Sequence, residues 1–230
     1  MAQEPKYYIV EAAALPDVFR KVAEANGVTC CDTFTGFKFM AEKKQQLESQ
    51  GLGKVVFSYE ESYGYMLGDY VRDKDAVTAS LLLTEMAAWY QSRGMTLFDA
   101  LQALYEKYGY YGEKTHNLVM PGLDGLEKMA ALMQSLRDVP PADIAGVAVT
   151  ARTDYKDGTV TDCASGKVTA SELKGSNVLR YALADGTVIL VRPSGTEPKI
   201  KVYILTLGSD PKQRDENIAK YSQWALSLQK

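Results

Sequence analysis

The periodicity of the sequence changes once along the chain, at the adjacent prolines Pro140 and Pro141. Before them, short β-favouring runs alternate with stretches whose apolar residues recur at helical spacing, which is typical of an α/β layer. After them, apolar runs are joined by turns that include Asp157-Gly158 and Asp185-Gly186, a signal for antiparallel hairpins. Because consecutive prolines break both ladders and helices, we predict a domain boundary there.

We therefore predict an α/β domain at residues 1–139, a mixed sheet with helices, followed by a smaller α+β domain at residues 140–230, an antiparallel sheet covered by helices. The predicted strands lie at 7–10, 28–32, 54–58, 146–151, 177–183, 187–192 and 199–207. The predicted helices lie at 15–25, 37–50, 75–93, 97–108, 124–137 and 211–228.

The stretch from Ala76 to Tyr90 is the most apolar part of the chain. It falls short of the ~20 apolar residues that a bilayer requires, and it contains three hydroxyl residues and Glu85. We predict a buried helix here and no membrane segment. The polar residues before Tyr7 do not resemble a signal peptide either.

Charge and cysteine content limit the classes of function. The chain has 26 basic and 29 acidic residues, a net charge of −3, so the whole chain has no electrostatic preference for nucleic acid or a lipid surface. Any anion must be bound locally. Three cysteines cannot form a disulfide framework and favour a reducing, cytoplasmic setting. The single histidine, His116, leaves little room for a histidine-rich metal site.

The segment Arg192-Pro-Ser-Gly-Thr-Glu-Pro198 lies between two predicted strands and carries groups that suit a phosphate. Arg192 offers a planar fork of donors, Ser194 and Thr196 offer hydroxyls, and Gly195 lets backbone N–H groups approach closely. An ordinary loop between strands is the alternative, because serine, glycine and proline are also common turn residues.

The segment Tyr59-Glu-Glu-Ser-Tyr-Gly64 follows an apolar strand, at the position where open α/β sheets bind ligands. A carboxylate accepts hydrogen bonds from two neighbouring hydroxyls, so Glu60 with Ser62 is suited to a sugar. A solvated acidic turn is the alternative interpretation.

Two further segments precede predicted helices. In Arg72-Asp-Lys-Asp75 the aspartates suit a helix N-terminus, whereas Lys74 opposes the helix dipole and could neutralise a phosphoryl group. A solvent-facing charge cluster is the alternative. Thr35 and Gly36 open another helix, whose N-terminal N–H groups could face an oxygen-rich ligand, although this signal is weak alone.

The order of these segments, Thr-Gly-Phe-Lys, Glu-Glu-Ser-Tyr-Gly, Arg-Asp-Lys-Asp and Arg-Pro-Ser-Gly-Thr-Glu-Pro-Lys, resembles the α-D-phosphohexomutases, in particular the bacterial phosphoglucomutases and phosphomannomutases. The resemblance extends from about Tyr7 to the C-terminus. That family has four domains, and this chain resembles most of the third and the whole fourth.

The resemblance implies a role for each matching residue. Arg192, Ser194, Gly195 and Thr196 match the loop that binds the non-reacting phosphate. Glu60 and Ser62 match the loop that hydrogen-bonds the sugar, and Thr35 and Gly36 match a second sugar-contacting loop. Lys74 matches a lysine near the phosphoryl-transfer site, and is the one catalytic residue that the resemblance implies here.

The resemblance also implies a reaction, the transfer of a phosphoryl group between C1 and C6 of a hexose through a bisphosphate. The implied ligands are glucose or mannose 1- and 6-phosphates. The family uses a phosphoserine and a Mg²⁺ held by three aspartates, both in its N-terminal half. We find neither motif: Asp73-Lys-Asp75 lacks a third aspartate. We therefore expect no metal in this chain, no activity alone, and the N-terminal half of the same enzyme as partner.

Three hypotheses remain open at this stage. The favoured one is the C-terminal part of a phosphohexomutase. The second is a non-enzymatic module that binds sugar phosphates. The third is an unrelated protein whose loops are only turns.

Overall fold

The computed structural model describes residues 6–195 and 197–229. Contacts between Cα atoms divide the chain into two compact units, the first ending at Gly109 and the second beginning at Tyr110. Among the described residues, no helix combines the length and the apolar character that crossing a membrane demands.

The first unit is a mixed α/β layer. Its elements are β1 (Tyr7–Ala12), α1 (Val18–Ala25), β2 (Thr29–Thr33), α2 (Phe37–Ser49), β3 (Lys54–Tyr59), β4 (Tyr65–Leu67), α3 (Ala76–Gln91) and α4 (Leu97–Tyr108). The strands are ordered β2-β1-β3-β4. Strands β2, β1 and β3 are parallel, and β4 pairs antiparallel with β3. The predicted α/β class is confirmed.

Helix α2 covers part of this sheet because its buried residues, which include Lys44, recur every three or four positions. Phe37, Met40 and Leu47 are buried against Val10 and Val55 of the sheet. This packing fixes the start of α2, and with it the loop that carries Thr35 and Gly36.

The second unit is an antiparallel sheet with two helices. Its elements are β5 (Tyr110–Val119), α5 (Gly125–Asp138), β6 (Asp143–Ile144), β7 (Val147–Asp154), β8 (Thr159–Asp162), β9 (Val168–Ala170), β10 (Leu179–Leu183), β11 (Val188–Pro193), β12 (Lys199–Gly208) and α6 (Pro211–Ser227). The strand order is β5-β12-β11-β10-β7-β8-β9, and β6 pairs with β7. Asp157-Gly158 and Asp185-Gly186 lie in the predicted hairpin turns.

Helices α5 and α6 contribute to the core of this unit. Met133 and Leu136 of α5 and Tyr221 of α6 are buried in one apolar cluster with Val191 and Val202 of the sheet. The predicted α+β class of the second part is therefore confirmed as well.

The division between the units differs from the predicted one. We expected domains at 1–139 and 140–230, but residues 110–139 belong to the second unit, which is consequently the larger of the two. The reason is that β5 pairs with β12 along its whole length, from Tyr110 opposite Gly208 to Val119 opposite Lys199. Pro140 and Pro141 mark only the connection from α5 to β6. Pairing between such distant segments leaves no local sequence signal.

The prediction of a buried helix at Ala76–Tyr90 is also wrong in this structure. Helix α3 forms, with the Asp75 side chain accepting hydrogen bonds from the N–H groups of Val77 and Thr78. None of its residues is buried, and Val77 is 78% exposed. An apolar composition favours the burial of a helix, but burial also requires another element that packs against it.

Candidate functional site

Glu60 and Lys74 form an ion pair at the carboxyl end of β3. The Glu60 N–H donates to the Gly64 carbonyl at 3.0 Å, which closes the chain into a tight turn directly after the strand. Lys74 Nζ lies 3.2 Å from Glu60 Oε1. The glutamate side chain is only 5% exposed and the lysine side chain 60%. The pair therefore links a buried acceptor to a cation that reaches the surface.

Gly64 gives the Glu60 carboxylate its space. A Cβ atom at this position would lie 2.7 Å from Glu60 Oε1 and 2.5 Å from Cε2 of the buried Phe37 ring. Both distances are shorter than any ordinary contact. The glycine of the Glu-Glu-Ser-Tyr-Gly segment is thus a positioning residue that our sequence reasoning had given no role.

The backbone around Lys74 is fixed by the N-terminus of α3. Asp75 N–H donates to the Tyr65 carbonyl at 2.9 Å, and Tyr70 Oη donates to Asp75 Oδ2 at 2.5 Å. The Tyr70 hydroxyl, the Val77 N–H and Thr78 together lower the pKa of Asp75 below its usual range. Sequence reasoning allowed a capping aspartate here, and Asp75 is the one that caps the helix.

These hydrogen bonds also bear on metal binding. Asp73 accepts from the Lys74 N–H at 2.7 Å, and both Asp75 oxygens already accept from α3 or Tyr70. A Mg²⁺ ion prefers several free oxygen ligands in octahedral geometry. The Asp73-Lys-Asp75 segment therefore suits Mg²⁺ poorly.

The other sugar-loop candidates lie in two loops of the same unit. Ser62 is exposed in the turn after Glu60. Thr35 and Gly36 are half-buried between β2 and α2, where Gly36 takes a φ of +123° that favours glycine. The next residue, Phe37, contacts the Gly64 turn. The structure therefore brings the Thr35 loop beside the Glu60 loop.

The phosphate-loop candidates lie between β11 and β12 of the second unit. Arg192 is opposite Lys201, so the two cations lie on one face of the sheet. The Ser194 N–H donates to the Lys199 carbonyl at 2.8 Å, which closes the loop at its base. Gly195 is exposed. Thr196 lies outside the described residues.

The basic side chains of this loop differ in whether they form an ion pair. Lys199 is ion-paired with Glu197. Within residues 6–195 and 197–229, the Arg192 guanidinium has no ion-pair partner. No described carboxylate therefore neutralises Arg192, whose planar guanidinium suits a bidentate contact with a phosphate.

A second titratable cluster lies in the sheet of the first unit. The buried Glu11 carboxylate accepts from Tyr59 Oη at 2.7 Å and from Cys30 Sγ at 3.0 Å, and Arg20 lies 3.8 Å away. Burial is the main cause that raises the pKa of Glu11, against the hydrogen bonds from Cys30 and Tyr59; Asp32 raises it further and Arg20 lowers it.

Among the described residues, Glu11, Cys30 and Asp32 are the only acidic, cysteine or histidine side chains that meet as a possible three-ligand group. Arg20 donates to Asp32 at 2.5 Å, and the Cys30 thiol and Tyr59 hydroxyl donate to Glu11. A resident guanidinium already neutralises the carboxylates, and a thiol is a poor ligand for Mg²⁺. The cluster fits a structural role.

We expect the stability of the first unit to fall as the pH rises through the raised pKa of Glu11. The folded state then binds the proton more tightly than the unfolded chain, so this stabilising contribution is complete below the ordinary pKa of 4.5 and is lost above the raised value. Urea unfolding across the pH range measures the slope. Glu11→Gln is expected to flatten it, whereas Glu42→Gln on the exposed side of α2 is a control that leaves it unchanged. Equal slopes in the wild type and Glu11→Gln would contradict this prediction.

His116, on β5 of the second unit, lies outside the loop that carries the phosphate-binding candidates. Its Nε2 is 2.8 Å from Ser222 Oγ on α6, and burial lowers its pKa. The histidine therefore joins β5 to α6.

Models of one protein family match most of the chain. Residues 1–108 match the phosphoglucomutase/phosphomannomutase alpha/beta/alpha domain III, and residues 127–215 match the phosphoglucomutase/phosphomannomutase C-terminal domain. A phosphoglucomutase of Staphylococcus aureus strain bovine RF122 / ET3-1 is 35% identical over 198 residues, 85% of this chain and 35% of that protein. The phosphoglucomutase of strain MRSA252 is 33% identical over 196 residues, with the same shares. The chain spans about a third of the length of these relatives.

Solved structures share the fold. The open form of parafusin, a phosphoglucomutase from Paramecium, matches with a TM-score of 0.63 and 18% identity, over 96% of this chain and 37% of that one. A phosphoglucomutase/phosphomannomutase family protein from Burkholderia thailandensis matches with a TM-score of 0.55 and 15% identity, over 99% and 38%. At these identities the likeness concerns the fold alone.

Proposed function

Because this chain belongs to the phosphoglucomutase/phosphomannomutase family, in which it corresponds to domain III and the C-terminal domain, we propose that it forms the substrate-binding part of a phosphohexomutase. The complete enzyme interconverts hexose 1-phosphate and hexose 6-phosphate through a bisphosphate. The substrates are sugar phosphates of the glucose or mannose type.

The observation that carries this proposal is the buried Glu60 carboxylate paired with Lys74. One carboxylate oxygen faces the lysine, and a carboxylate has lone pairs left for further donors. Sugar hydroxyls are such donors, and Ser62, Thr35 and Gly36 lie in the adjoining loops of the same unit. Lys74 is exposed enough to meet a phosphoryl group, whose negative charge it offsets.

In the second unit, Arg192 and the loop that follows it hold the phosphate that does not react. Arg192 supplies a fork of donors, Lys201 a second positive charge, and Ser194 a hydroxyl, while Gly195 and Thr196 complete the loop as the family resemblance implies. The residues of this chain thus bind and orient the substrate.

The phosphoryl donor and the metal belong to the part of the enzyme that this chain does not match. When bound, a Mg²⁺ ion offsets the charge that develops on the transferring group. The Asp73-Lys-Asp75 segment and the Glu11–Cys30–Asp32 group suit that ion poorly, because hydrogen-bond donors already engage several of their oxygens and Arg20 neutralises the Asp32 carboxylate. We therefore expect binding without turnover. Mutase activity of the purified chain, shown by mass spectrometry to contain no full-length enzyme, would contradict this.

Arg192→Ala is expected to weaken the binding of glucose 1-phosphate by roughly tenfold or more, because a hydrogen bond to a charged group contributes about 1.5–3 kcal/mol. Isothermal titration calorimetry on the isolated chain measures the dissociation constant. Arg152→Ala is the matched control, since Arg152 is a half-buried arginine near Tyr181 in the same sheet, on the face opposite Arg192. Equal losses in both variants, or no heat with glucose or mannose 1-phosphate, would reject the proposed phosphate site.

A further inference from the structure

Helix α3 exposes more large apolar side chains than any other described helix. We define the α3 surface by the large apolar residues of the helix that are exposed, namely Val77, Leu81, Leu82, Leu83, Met86 and Trp89. Glu85 is the only charged side chain between Ala76 and Gln91. A monomeric soluble protein rarely leaves such a continuous patch in water.

The α3 surface surrounds most of the helix. At 3.6 residues per turn, its six side chains spread over roughly 240° of the circumference. A helix that packs on a single neighbour has an apolar stripe of about 100°. One further helix, such as α3 of a second copy, would therefore leave much of the surface uncovered. Covering the α3 surface therefore requires a partner that contacts the helix on several sides.

Two hydroxyl side chains of α3 are hydrogen-bonded to the backbone of their own helix. Ser80 Oγ donates to the Ala76 carbonyl at 2.7 Å, and Thr84 Oγ1 donates to the Ser80 carbonyl at 2.8 Å. Burying a hydroxyl that is hydrogen-bonded to its own helix costs little free energy, because that hydrogen bond replaces the one that the hydroxyl would otherwise make to water. The helix also lacks the basic face of helices that lie on a membrane.

The α3 surface begins beside the candidate site. Asp75 caps the helix, Lys74 directly precedes that cap, and Val77 is the first residue of the surface. The proposed reaction needs a phosphoryl donor near Lys74, and this chain spans 35% of the length of its relatives. A partner that covers α3 would thus be placed where the donor is required.

We infer that the α3 surface is the docking surface for the remaining polypeptide of a phosphohexomutase, the part that carries the phosphoryl donor, whether in the same chain or a separate one. This inference rests on the proposed function. It places the partner on the helix that begins beside the Glu60–Lys74 pair, and it explains why six large apolar side chains of that helix are exposed.

The test is a hybrid enzyme in which the matching residues of S. aureus phosphoglucomutase are replaced by this chain. Leu81→Glu in the hybrid is expected to lower the soluble yield or the mutase activity roughly tenfold, because it buries a charge without a partner. The same variant of the isolated chain keeps its helical circular dichroism and an unfolding temperature within about 2 °C of the wild type. Leu226→Glu on α6 is the matched control, with 50% exposure against 59% for Leu81.

Several outcomes would overturn the inference. Equal effects of Leu81→Glu and Leu226→Glu in the hybrid would do so, as would an insoluble wild-type hybrid when both parents are soluble. A dimer of the isolated chain in sedimentation velocity, dissociated by Leu81→Glu, would assign the surface to a second copy. A hybrid that assembles through α3 but binds no sugar phosphate would leave the docking surface standing and refute the proposed function.

Discussion

Gly64→Ala is expected to break the Glu60–Lys74 pair and weaken sugar-phosphate binding by roughly tenfold or more. The new Cβ atom would lie 2.5 Å from the buried Phe37 ring and 2.7 Å from Glu60 Oε1. The flexible Glu60 side chain has to move away from the new Cβ atom, and the buried Phe37 ring or the backbone of the turn has to shift as well. Overpacking of this kind also costs about 1–3 kcal/mol of folding free energy. Calorimetry with glucose 1-phosphate and thermal unfolding measure the two effects.

A double-mutant cycle with Lys74→Met separates the mechanism from a general loss of stability. If Gly64→Ala acts by displacing Glu60 from Lys74, its effect on binding is much smaller when Lys74 is already replaced. Strictly additive effects of the two substitutions would show that Gly64 acts independently of the pair. Unchanged binding in the single variant would refute the positioning role of Gly64.

Gly125→Ala is expected to destabilise the second unit by roughly 3 kcal/mol, at the upper end of the usual cost of overpacking. The added Cβ would lie 2.2 Å from the Met120 carbonyl oxygen and 2.9 Å from Pro198 Cβ. Backbone atoms cannot yield as a side chain can. Helix propensity alone would favour alanine by about 1 kcal/mol, so destabilisation identifies the close contact as its cause.

The same substitution is expected to weaken phosphate binding. The Met120 N–H donates to the Pro198 carbonyl at 2.8 Å, so the start of α5 supports the end of the loop that begins at Arg192. Urea unfolding and calorimetry report the two effects. Gly195→Ala is the control for unfolding, because no described atom beyond the glycine and its chain neighbours lies within 4 Å of the Cβ that it adds. A Gly125→Ala protein as stable as Gly195→Ala would contradict the close approach.

The elements that the sequence predicted correctly have strong local patterns. Helix α2 shows buried residues every three or four positions, and the Asp185-Gly186 turn joins β10 and β11 as expected. Helix α4 begins as predicted, at a capping box in which the Thr96 and Asp99 side chains each accept from the other's backbone N–H. Such features depend on residues within a few positions of each other, so the sequence contains all the information they need.

The features that the sequence did not predict depend on distant residues. Strand β5 joins the second unit because it pairs with β12, some 90 positions away. The position of Glu60 depends on the space left by Gly64 and on the Phe37 ring. Lys74 by itself would interact unfavourably with the helix dipole. Its side chain forms an ion pair with Glu60, which our sequence reasoning had treated as part of a separate segment. None of these contacts has a local pattern.

The sequence by itself determined the two classes of architecture, the order of the loops around Thr35, Glu60, Lys74 and Arg192, and the family to which they belong. Only the tertiary structure decided where the two units divide, which glycines make room for the site, and that α3 lies exposed. The physical reason is that periodicity and turn chemistry act between neighbours in the chain. Close approach and burial depend on which distant surfaces are present to meet.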